Sequence, residues 1–86
     1  REERKALQRE ARRHARAAQQ LEEEIERLQK ELREVEQQLM LPSVYSNPAR
    51  AAEIGSRQRE LQSRIESMEA EWLEAQEKAL ALEQQV

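Results

Sequence analysis

Lys5, Arg9, Arg12, Arg13 and Arg16 are the side chains in this sequence whose type and spacing suggest a chemical role. Guanidinium groups bind phosphate oxygens bidentately, and cations crowded along one stripe release counterions when a polyanion docks. The same stripe would suit an acidic protein surface, and a plain solvated face explains it about as well. Segregation of charge sharpens the picture: residues 1–20 carry seven Arg or Lys against three Glu, whereas residues 61–86 carry two against six. Catalytic chemistry has little to work with. One His, one Gly and no Cys leave no nucleophile–base pair, no phosphate-cradling loop and no thiolate metal site, so no catalytic residue, metal or cofactor is expected. The many carboxylates need a water-poor cleft before they can act as acid and base. They read instead as solvated charge and as intrahelical partners, such as Glu23 with Arg27 and Glu26 with Lys30.

The elements that carry these side chains follow from periodicity. Leu7, Ala11, His14, Ala18, Leu21, Ile25, Leu28, Leu32, Val35 and Leu39 succeed one another at alternating steps of four and three. A second ladder runs Ile54, Gln58, Leu61, Ile65, Met68, Trp72, Ala75, Ala79, Leu82 and Val86. That spacing holds a residue on one seam of a supercoiled helix. If the chain folds back, the ladders meet in register, Leu39 with Ile54, Leu32 with Leu61, and so on to Leu7 with Val86. Each such layer joins an a position to a d position, as an antiparallel pair requires. The expected fold is therefore all-α, a two-helix antiparallel coiled-coil hairpin, with helix 1 over about 2–40, a connector over 41–46 and helix 2 over about 47–85. Pro42 stops the first helix by forcing Leu41 out of helical geometry. Ser46 or Asn47 caps the second, which Pro48 opens. Leu41, Val44 and Tyr45 make the connector apolar, so they are expected to fold over the Leu39/Ile54 end of the seam.

With Leu7 at a d position, Lys5 and Arg12 fall at b, Arg9 and Arg16 at f, and Arg13 at c, all facing away from helix 2. His14 reads as a poorly buried seam residue, Trp72 and Met68 as core, and Gly55 as a locally loosened turn of helix 2. Large side chains fill the seam from Leu39/Ile54 to Leu21/Trp72, and alanines thin it towards the termini. The longest apolar run is Leu39-Met40-Leu41, so neither a membrane span nor a signal peptide is read here. A chain that begins at Arg1 without an initiator Met is read as one domain cut from a longer protein.

Pro42 and Tyr45 in the connector, Pro48 at the opening of helix 2 and the run Trp72-Leu73-Glu74-Ala75-Gln76-Glu77 resemble the C-terminal coiled-coil domain of ABC-F ATPases. The Arg-rich lead-in to Leu21-Glu22-Glu23-Glu24-Ile25-Glu26 is similar to the same domain, so the resemblance covers essentially the whole chain. Many members have an acidic residue before the loop proline and an aromatic residue three before the Trp, where this chain has Leu41 and Glu69. The resemblance implies a cytoplasmic parent that couples ATP hydrolysis to ribosome function, with this domain a non-catalytic appendage contacting rRNA, tRNA or DNA. In Uup-like members the domain is associated with DNA binding. The implied partners are nucleic acid or the ribosome and the parent's ATP-binding cassettes, with no membrane, and the expected state is a monomeric hairpin. A structural or protein-interaction coiled coil, and the interdomain helical hairpin of the same proteins, are the alternative readings.

Overall fold

A computed structural model describes residues 1–86 as an all-α chain with two long helices: α1 over Glu2–Leu39, the single turn α2 over Pro42–Tyr45, and α3 over Pro48–Glu83. The rod measures 66 × 14 × 13 Å. A helix of α1's length spans roughly 57 Å at ~1.5 Å per residue, so α1 and α3 lie alongside one another for most of that length. No helix is long and apolar enough to cross a membrane.

Local chemistry accounts for the breaks. Met40 closes α1 with φ −87° and ψ −9°, and Leu41 then turns extended, at φ −79° and ψ 132°. The ring of Pro42 clashes with a helical residue before it, which forces that change. Pro42 does not leave an open loop behind it. Its fixed φ suits a first helical position, and the turn closes with Val44 and Tyr45 donating their amides to the Leu41 carbonyl at 2.9 and 3.0 Å. The Ser46 hydroxyl returns to the Pro42 carbonyl, which leaves capping of α3 to Asn47, whose Oδ1 accepts the Arg50 amide at 3.2 Å.

This helical turn changes what covers the end of the seam. Val44 alone seals it and is 3% exposed, whereas Leu41 and Tyr45 are 50% and 61% exposed. A single turn presents one face inward, and each residue rotates by about 100°. Tyr45 is therefore carried outward once Val44 points in, and extended Leu41 lies off the turn.

The core is concentrated near this end. Leu28, Val35, Val44, Ile54, Leu61 and Ile65 form the buried cluster, with Ile25, Leu32, Leu39 and Met68 packed against it. Towards the termini only alanines are fully buried: Ala11, Ala18, Ala75 and Ala79. Trp72, expected as core, is half-buried and lies outside the cluster. Its indole lies next to the small Ala18/Ala75 layer, which covers it incompletely, and its buried Nε1 has no acceptor. Val86 is 43% exposed and does not seat against Leu7. The helix ends at Glu83, so Val86 leaves the helical path before it can reach the seam.

Two ion pairs cross between the long helices. Glu31 accepts from Arg57 at 2.6 Å, and Glu24 lies 3.8 Å from Arg64. A step of seven residues back along α1 thus matches a step of seven forward along α3.

Candidate nucleic-acid interface

Lys5, Arg9, Arg12, Arg13 and Arg16 all lie exposed on α1. At 3.6 residues per turn they fall within an arc of about 100°, opposite the line through Leu7, Ala11 and Ala18, and span roughly 17 Å of helix. The structure thus brings the five onto one face. They do not share one electrostatic state. Arg13 donates to Glu10 at 2.7 Å and is partly neutralised in place, while Lys5, Arg9, Arg12 and Arg16 make no ion pair. Glu10 also lies 3.7 Å from His14 Nε2. His14 keeps its seam position, half-buried, with that carboxylate its one charged neighbour.

Elsewhere, a minority of the charged side chains pair within the rod. The Arg27 guanidinium bonds Glu24 rather than the expected Glu23, and this hydrogen bond holds the Glu24 carboxyl below its ordinary range, helped by Arg64. Glu24 borders the seam, where Arg27 and Arg64 can both reach it. Glu23 is exposed and makes no ion pair. Arg57, shared between Glu31 and Glu60, is raised by both hydrogen bonds, and Lys78 lowers Glu74 in the same way from 2.9 Å. No group of three or more potential metal ligands comes together.

One shallow hollow, of ≈ 250 Å³, lies between the chain ends and is lined by Gln8, Ala11, Arg12, Glu83 and Val86. With Arg12 and Glu83 facing it from opposite sides, it has one charge of each sign and no buried polar group to orient a ligand.

Comparison with known families gives one match: a model described as the ABC transporter C-terminal domain fits residues 6–77. The chain belongs to that family. The matched span of this ABC transporter C-terminal domain takes in Arg9, Arg12, Arg13 and Arg16 and leaves Lys5 just outside. No curated protein and no solved structure matches the chain. Membership associates the domain with ATP-binding cassettes of its parent.

Three exposed apolar side chains of this domain have no binding role in the reading of the sequence. Tyr45 stands exposed at the rod's tip. Leu73 and Leu80, 52% and 56% exposed, lie seven residues apart on α3. Their signal was available, because both fall at b positions, one residue beyond the ladder members Trp72 and Ala79.

Proposed function

We propose that this ABC transporter C-terminal domain is an antiparallel two-helix coiled coil serving as the non-catalytic, nucleic-acid-contacting arm of an ABC-F ATPase. The opposed seven-residue steps of the Glu31–Arg57 and Glu24–Arg64 pairs support the antiparallel hairpin. The ladders support the coiled coil, since nineteen of their twenty members are buried or half-buried. The observation that carries the binding role is the stripe of Lys5, Arg9, Arg12 and Arg16, exposed on one face and unpaired within the chain. Arg13 joins it once a phosphate competes with Glu10. Contacts of this kind recognise a backbone and ignore base sequence, so rRNA, tRNA and DNA are all suitable ligands. In a Uup-like or related parent in the cytoplasm, the arm would support ribosome-associated work while the cassettes, outside this chain, hydrolyse ATP.

A salt series tests the stripe. Binding of the 86-residue chain to ribosomes, duplex DNA and single-stranded RNA should weaken with log salt at a slope of about −0.7 to −0.9 per phosphate contact. Replacing Arg9, Arg12 and Arg16 by Gln should flatten that slope by about two to three units. Circular dichroism should be unchanged, because none of the three lies on the seam. Equal binding by the triple variant at every salt concentration would make the stripe a solvated face.

A further inference from the structure

The heptad positions of α3 define a second ladder beside the seam. Its b and e members run Gln62, Glu66, Glu69, Leu73, Gln76, Leu80 and Glu83 at the same alternating steps of four and three. Over one heptad this ladder is apolar at its b positions, and both leucines there are more than half exposed. The hollow lined by Gln8, Ala11, Arg12, Glu83 and Val86 continues it towards the chain ends. Gln8 holds the e position of α1 and Glu83 that of α3, so this edge joins the two helices. Ala15, one heptad beyond Gln8, is small and exposed on the same edge.

Charge on the two long edges differs. The g positions hold Glu24 and Glu31 on α1 against Arg57 and Arg64 on α3, and these pair across the rod. No e position after Arg1 carries a basic residue, and Glu22, Glu36, Glu69 and Glu83 lie there. Around the leucines, Glu66, Glu69, Glu77 and Glu83 make no ion pair, while Glu74 pairs with Lys78.

We propose that the Leu73/Leu80 edge is a docking surface for a basic amphipathic helix of another protein segment. An incoming helix with apolar residues at i and i+7 would seat them against Leu73, Gln76 and Leu80, as helices lay their apolar faces into grooves. Its flanking Lys or Arg would meet the unpaired carboxylates. A polyanion is repelled by the same carboxylates. A second copy using this edge on both sides would set acidic rim against acidic rim, because a two-fold contact presents one patch to itself. The surface meets the basic face of α1 at Arg12, which lines the hollow, and the leucines lie beyond it on α3. The assignment of its α1 side rests on the hairpin proposed above, while the α3 stripe stands without it.

The test uses the whole chain and a designed probe, a peptide of about 18 residues with Leu at i, i+3, i+4 and i+7 and Lys elsewhere. A matched peptide with Glu for every Lys is the control. Trp72, the only tryptophan, reports binding by fluorescence, with calorimetry as a second readout. The Lys peptide should bind one to one and the Glu peptide should not. Leu73→Gln with Leu80→Gln should weaken binding by about tenfold or more, as loss of central apolar anchors does. Glu66→Gln with Glu69→Gln should weaken it less and reduce its salt dependence. Arg9→Gln with Arg16→Gln should leave it unchanged, and circular dichroism should show every variant helical. Equal binding by the Leu73/Leu80 variant, or by the Glu peptide, overturns the proposal. So does sedimentation showing a dimer that the leucine variant disperses, which would give the surface to a second copy.

Discussion

The two halves of the rod bury different things. Near the tip, α1 and α3 interleave Leu28, Val35, Ile54, Leu61 and Ile65 beneath Val44. Near the termini they approach over Ala11, Ala18, Ala75 and Ala79. Each large side chain that is fully buried contributes roughly 1.5–3 kcal/mol, and a methyl group contributes far less. The candidate binding features cluster where packing is thin: the basic stripe, the hollow and the Leu73/Leu80 edge. One end stabilises the fold, which frees the other to present surface. A binding end that need not hold the helices together can vary its outer residues at little cost to folding.

The largest effect expected from this contrast comes from Leu61, 1% exposed and the most deeply buried large side chain. Leu61→Ala should destabilise by about 2–5 kcal/mol, read as a lower midpoint in urea. At the other end, Ala18→Gly should lose about 1 kcal/mol, the intrinsic helix penalty with little packing lost. Comparable losses at the two sites would erase the contrast. Hydrogen exchange should agree, with slow amides around 25–35 and 54–68 and fast ones towards both ends.

Gly55 gives the next largest change, in the opposite direction. It has no positive φ, and a Cβ built there meets only Arg59 Nη1, at 3.6 Å. Gly55→Ala should therefore stabilise by about 0.5–1 kcal/mol, since Ala fits and the unfolded chain loses freedom. A loss of stability would mean that the packed end has no room even for a methyl group and is more tightly specified than its open surroundings imply.

The smallest effect comes from acid. Hydrogen bonds from Arg27 and Lys78 lower the Glu24 and Glu74 carboxyls below their ordinary values. A carboxyl lowered on folding adds stability that is present above the unfolded value and is lost as pH falls through the folded one. Both pairs are solvated, so the loss should be slight and confined to pH below the ordinary carboxylate range. Thermal melts of Glu24→Gln should show a shallower decline than wild type over that window. An unchanged decline would assign the acid limb to other carboxylates.

Much of this architecture was legible because its causes are local or periodic. Step sizes of three and four placed the seam, and the Pro42 ring acts on Leu41 directly. Asn47 caps α3 through its own side chain. What escaped depends on competition in three dimensions. Leu41, Val44 and Tyr45 are similarly apolar, and only the direction of one helical turn decides that Val44 goes in. Arg27 could reach either Glu23 or Glu24, and in three dimensions it bonds Glu24. For the basic face, heptad position alone sets Lys5, Arg9, Arg12, Arg13 and Arg16 away from the seam. A phosphate that approaches a solvated helix requires no cavity or strained backbone, so the proposed ligand would leave no further mark on the chain. Leu73 and Leu80 were readable at b positions, yet attention to the seam passes over residues just beside it.

Val44 has a mechanical consequence. It plugs the one end at which the long helices are joined, beside the densest packing of the rod. In the proposed hairpin both chain ends lie at the opposite, alanine-lined end. Tension applied through them would act on the weakest layers first and peel them one at a time. Resistance would rise as the fork reached Ile65 and Leu28, with the tip last to open. On release the helices would close again from the tip, where the shortest chain loop must be ordered. A rod built this way yields at its attachment points before its far end loses shape.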